Sequence, residues 1–194
     1  MTAAHRRFGL CLGVAALLLS LQWPILAVSQ DLAAENPNKV KAAFLRNFAH
    51  YVTWPEKAFA DARSPWRICV LGVDPFNDVL DKTLAGRTEQ GRLFEIHRAE
   101  TLGGLPACQI VYIAYDAPAK RRAALGELKG KTVLTVGDAP EFLREGGIIR
   151  LVAGERVQMS VNLDQARAVS LNVQTRMLEV SAEVLENGEI RKAR

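Results

Sequence analysis

Apolar and polar positions along this chain fall into runs of two kinds. Between residues 39 and 53, Val40, Ala43, Phe44, Phe48, Tyr51 and Val52 recur at intervals of three and four, the period of a helix with one apolar face. Asn36 or Asn38 can cap this helix, and Trp54-Pro55 ends it, because the residue before a proline avoids the helical region. Its aromatic stripe reads as a face packed on a sheet, with a docking surface as the less economical alternative. Residues 66–72 instead form a short, nearly continuous apolar run that suits a buried strand. Asp74 is placed to cap a helix from Pro75 through Leu84, since the missing N–H of proline would have no partner in a first turn.

The two kinds of run then alternate. Leu93, Glu95 and His97 interleave with Phe94 and Ile96, predicting a strand with one wet face near a sheet edge. Residues 108–114 make a third, strongly apolar strand, and Asp116-Ala117-Pro118 opens a helix that runs to about Leu128. Residues 133–138 make a fourth strand, which again ends in glycine and aspartate, and residues 139–144 read as a short helix or turn. Runs at 148–152 and 157–162, joined through Gly154-Glu155, predict an antiparallel hairpin. Residues 163–170 read as helical, and Met177, Leu178, Val180, Val184 and Leu185 trace a terminal helix with Asn187-Gly188 as its stop. The fold class that follows is α/β: a single-domain αβα sandwich whose central sheet is mostly parallel and ends in an antiparallel hairpin.

The first 29 residues stand apart. Arg6 and Arg7 precede an apolar core at 8–21 and the small residues Ala27-Val28-Ser29, the form of a cleaved secretory signal, with an uncleaved anchor as the alternative. Residues 30–37 read as a flexible leader and 38–194 as the folded domain. The chain carries 25 basic and 21 acidic residues, and removal of the two signal arginines leaves a charge of about +2, which is no nucleic-acid footprint. With Cys11 in the signal core, Cys69 and Cys108 remain as an even pair in an oxidising compartment. A disulfide is the leading reading and two buried free thiols the alternative. A bond would place the first and third strands side by side, as in a strand order of 2-1-3-4.

Candidate chemistry is sparse. Gly130-Lys131-Thr132 is like the tail of a phosphate-binding loop, but residue 125 is leucine where that loop needs glycine, and the segment runs from helix into strand. No Gly-x-Ser-x-Gly elbow is present, and His50 and His97 lack ligand-like spacing, so neither metal nor cofactor is expected. Gly72, Asp74 and Asp138 follow strands and form a candidate ligand edge, where paired carboxylates would be the catalytic reading and two helix caps the plainer one. A binding protein, not an enzyme, is the expectation.

Several stretches together resemble the YfiR family of periplasmic regulators: residues 41–49 with Val52-Thr53-Trp54-Pro55, residues 69–72 with Asp74-Pro75-Phe76, and residues 108–113, 133–138, 146–149 and 157–162. The resemblance implies a periplasmic protein that binds the periplasmic sensor portion of an inner-membrane diguanylate cyclase and represses it, controlling cyclic di-GMP and biofilm formation. It also implies a homodimer and a redox-sensitive disulfide, a framework that Cys69 and Cys108 match. Met159, where the family commonly has an aromatic residue, and Gln174-Thr175, where it tends to have paired serines, depart from the pattern. A periplasmic small-molecule carrier or sensor without a cyclase partner is the alternative function.

Overall fold

The computed structural model describes residues 36–192. The signal reading for residues 1–29, with most of the leader, lies outside the described residues. Asn36 accepts a hydrogen bond from the Asn38 amide through its side chain, and Pro37 opens helix α1 (Pro37–Tyr51). Ala42, Leu45, Phe48 and Ala49 form its buried face. Strand β1 (Val52–Thr53) follows at once and pairs with β9 (Asn172–Val173), fastening the end of α1 to a segment over a hundred residues away.

The main sheet contains β2 (Trp66–Gly72), β3 (Thr88–Glu89), β4 (Arg92–Ala99), β5 (Ile110–Ala114), β6 (Leu134–Gly137), β7 (Ile149–Val152), β8 (Gln158–Asn162), β10 (Glu183–Glu186) and β11 (Glu189–Lys192). Across the sheet the order is β11-β10-β8-β7-β6-β5-β2-β4-β3. The five strands from β4 to β7 run parallel. The expected order 2-1-3-4 is present as β4-β2-β5-β6, and the expected hairpin as β7–β8. The wet strand β4 lies one place from the edge, covered only by two-residue β3.

Alternation along each strand divides the apolar side chains between two layers. On one face, Trp66, Ile68, Val70, Ile110, Tyr112, Leu134 and Val136 pack against α1, α2 (Asp78–Leu84) and α4 (Leu163–Ala168). On the other, Cys69, Leu71, Val111 and Ile113 meet Ala124, Leu125 and Leu128 of α3 (Pro118–Leu128), together with Phe142 and Leu143. Pro118 occupies the first turn of α3, as its fixed φ favours.

Two expectations need correction. Pro75 does not start a helix. Asp74 Oδ1 accepts from the Phe76 amide at 2.7 Å, closing a local turn, and Asn77 follows at φ +50, which interrupts any helical run until Asp78. The terminal helix is also shorter than its stripe implied. Helix α5 (Thr175–Glu179) stops at Val180, and residues 183–192 form the β10–β11 hairpin. Asn187 and Gly188, read as a helix stop, are its two-residue turn, with φ of +56 and +76. Such a turn requires positive φ at both central positions and matches strand twist, so the Asn-Gly pair outweighs a short helical periodicity. Val184 is buried because β10 runs parallel to β8, opposite Val161.

Candidate functional site

At the expected ligand edge, Gly72, Asp74 and Asp138 each meet a neighbouring side chain. Gly72 has φ +99, and a Cβ there would lie 2.9 Å from the Tyr115 ring, so both the backbone angle and the close aromatic require glycine. Asp74 Oδ2 lies 2.6 Å from Arg98 Nε, and the same guanidinium reaches Asp81 and the Asn77 carbonyl. Asp138 Oδ2 accepts from Lys41 Nζ at 2.8 Å and from the Tyr112 hydroxyl at 3.0 Å. Burial first, and then the Asp138 charge, pushes the Tyr112 hydroxyl far up, so it stays a neutral donor. Asp74 and Asp138 are thus each engaged by a different cation. Among the described residues no group of His, Cys, Asp and Glu is arranged to hold a metal ion.

Cys69 and Cys108 are bonded, with Cα atoms 6.2 Å apart. Cys69 is fully buried in the middle of β2, whereas Cys108 precedes β5 and is half-buried. The neighbouring Gln109 holds this corner together: its side chain accepts from the Arg67 amide at 2.8 Å and donates to the Ala58 carbonyl at 2.7 Å. Its carbonyl accepts from the Leu134 amide at 2.8 Å. One buried glutamine therefore joins β2 and the turn at Glu56–Ala58 through its side chain, and β6 through its backbone carbonyl, next to the bridge.

A second feature lies on the opposite layer. Phe44, Phe48 and Tyr51 of α1, Met159 of β8, and Met177 with Val180 at α5 line an apolar groove with a volume of about 210 Å³. The aromatic stripe of α1 is therefore divided: Phe48 belongs to the core, while Phe44 and Tyr51 are only partly buried. The walls are held in register, because the Gln174 amide donates to the Tyr51 carbonyl at 3.0 Å and its side chain donates to the His50 carbonyl at 3.1 Å. Val180 stands 70% exposed at the rim. Exposed apolar side chains around a concave apolar floor are a surface suited to contact with a partner. The α1 pattern made the stripe legible, but the partner wall came from α5, whose packing was hidden in the misread terminal helix.

The profile of the YfiR/HmsC-like family matches residues 38–182, from the second residue of α1 to the residue before β10. The chain belongs to the YfiR/HmsC-like family. No curated protein matches it at a significant level. The YfiR/HmsC-like family is periplasmic and regulatory, without catalysis, and is associated with diguanylate cyclase signalling. No helix among the described residues is long and apolar enough to cross a membrane. The match covers both structural features, the Cys69–Cys108 corner and the groove, and it stops before the β10–β11 hairpin begins.

Proposed function

We propose that this YfiR/HmsC-like protein is a periplasmic repressor that binds the periplasmic sensor portion of an inner-membrane diguanylate cyclase. It acts as a homodimer, and its release from the cyclase raises cyclic di-GMP and favours biofilm formation. The observation that carries this reading is the family match over residues 38–182. The groove beside α1 and α5 supports it by offering apolar surface to a protein partner.

The bridge gives the repressor a redox dependence. It joins β2 to the segment entering β5, and its loss frees the corner that Gln109 organises, so the paired strands and the surface they support become less fixed. The test measures cyclic di-GMP and surface attachment in a deletion strain complemented with wild type or with the Cys69→Ser, Cys108→Ser double variant. Deletion raises cyclic di-GMP, wild type restores it, and the double variant restores it incompletely. Unchanged cyclic di-GMP on deletion rejects the repressor role. Full repression by the double variant in every redox condition rejects the redox dependence alone.

A further inference from the structure

The main sheet ends at β11, and among the described residues no strand lies on its outer side. Its four residues, Glu189, Ile190, Arg191 and Lys192, are all exposed. The β10–β11 hairpin lies beyond residues 38–182, so the family match does not reach it. An unpaired edge is a template for a further strand, and charges along it commonly keep other chains away. On β11 the charges alternate in sign about one apolar residue, and their order decides what the edge can accept.

The edge is held in place from behind. Strand β10 runs parallel to β8, and the Asp164 carboxylate accepts from the Asn187 and Gly188 amides at 2.8 and 2.9 Å. Glu186 and Glu189 flank the two-residue turn, so they form a hydrogen-bonded pair, and bonding alternates from there along the hairpin. Glu189 and Arg191 thus direct their backbone groups at β10, while Ile190 and Lys192 turn theirs outward. Glu189 has no ion-pair partner among the described residues. Arg191 has only a 3.8 Å approach to Glu186, which Arg167 already holds at 2.9 Å. On the other face of the hairpin Ile190, 47% exposed, sits opposite half-buried Leu185.

We propose that β11 pairs antiparallel with β11 of a second copy of this chain, about a two-fold axis that passes through Ile190 normal to the sheet. The inference rests on the homodimer of the repressor reading and names its contact. Such an axis keeps each face of the sheet on its own side, so a residue meets its own copy or one an even number of places away. Centring on Glu189, Arg191 or Lys192 would set a like charge against itself. Centring on Ile190 instead sets Glu189 against the partner's Arg191 and Arg191 against the partner's Glu189. Both are opposite-charge pairs at sites without backbone bonds, where side chains across two strands come closest. The outward backbone groups of Ile190 meet those of its copy, and Leu185 and Ile190 of each protomer join one apolar row across the axis. With four residues on each side the contact is small, so association is weak and concentration-dependent.

The experiment measures the dissociation constant of the protein purified from the periplasm, by analytical ultracentrifugation over a range of concentrations. Wild type, Glu189→Arg, Arg191→Glu and an equimolar mixture of the two variants are compared, with thermal melts followed by circular dichroism to show that each is folded. Wild type dimerises. Each variant alone dimerises about tenfold more weakly, because both of its pairs across the axis become like-charged. The mixture regains wild-type affinity as a heterodimer, since both pairs are again opposite in charge, and high salt narrows these differences. A variant that had lost its fold could not be rescued by the other, so the mixture separates a lost contact from a lost structure. Unchanged dissociation constants in the single variants, or a mixture that binds no more tightly than either variant alone, overturn the proposal and leave a homodimer through another surface. A wild type that stays monomeric throughout overturns the homodimer as well, while the cyclic di-GMP test of repression stands apart from both.

Discussion

Lys41 Nζ lies 2.8 Å from Asp138 Oδ2, joining the first turns of α1 to the exit of β6. The lysine side chain is 7% exposed and the aspartate 47%, so the ion pair has one foot in the core and one in water. Tyr112 donates to the same carboxylate oxygen from within the core. Lys41→Met is expected to destabilise the fold by about 1–2 kcal/mol, less than for a fully buried pair because Asp138 keeps its water. Urea unfolding at neutral pH measures this. A variant as stable as wild type would show that the pair contributes nothing net.

The Arg121–Glu145 pair is more deeply placed, with side chains 4% and 8% exposed and Arg121 Nε 2.5 Å from Glu145 Oε2. Hydrogen bonds from Arg121 hold the Glu145 carboxyl below its ordinary value of 4.5, against the opposing effect of burial. A lowered folded-state value means that the contribution is fully present above pH 4.5 and is lost as pH falls through the lower, folded-state value. Glu145→Gln should therefore flatten the acid limb of a stability-against-pH curve. Arg121→Met should cost about 3 kcal/mol at neutral pH, because it leaves a carboxylate buried with only Arg122 nearby. Unfolding midpoints measured from pH 7 down to pH 3 check both.

The Phe142 ring lies close to two glycines, with one edge toward Gly137 and the other toward Gly147. A Cβ at Gly137 or at Gly147 would enter the van der Waals envelope of its ring, and Phe142 is fully buried. Gly147→Ala is expected to cost about 1–3 kcal/mol through overpacking. Adding Phe142→Leu should recover part of that loss, since the smaller side chain vacates the space. A double-mutant cycle by chemical denaturation reads the coupling, and additive effects would rule out the clash.

At the sheet edge, the Asp164 carboxylate accepts from the amides of Asn187 and Gly188 and so fastens the turn of the last hairpin to α4. Gly188→Ala places a side chain at φ +76 and should weaken the hairpin by about 1–2 kcal/mol. Hydrogen exchange then shows faster opening of residues 183–192 with the central strands unchanged. Asp164→Ala should produce the same local pattern, because both amides lose their acceptor.

The central sheet was legible because its evidence is local. Residues 66–72, 108–114 and 133–138 are apolar runs bounded by glycine, proline and aspartate, and burial on both faces leaves few other conformations for them. The cysteine pair carried information about strand order, since a bond restricts how far apart two strands can lie. Asp74 and the C-terminal segment were misread for a shared reason. Each can satisfy a local rule in two ways, an aspartate as helix cap or turn acceptor, and Asn-Gly as helix stop or hairpin turn.

The sequence by itself determined the alternating α/β order, the parallel core, the β7–β8 hairpin and the helix that opens the domain, because periodicity and turn chemistry act over a few residues. Tertiary structure alone decided that Lys41 meets Asp138, that Arg98 takes Asp74, and that α5 completes a groove with α1. Those neighbours are dozens of residues apart in the chain. Their meeting depends on strand order and on which face each helix covers, and no local pattern encodes either.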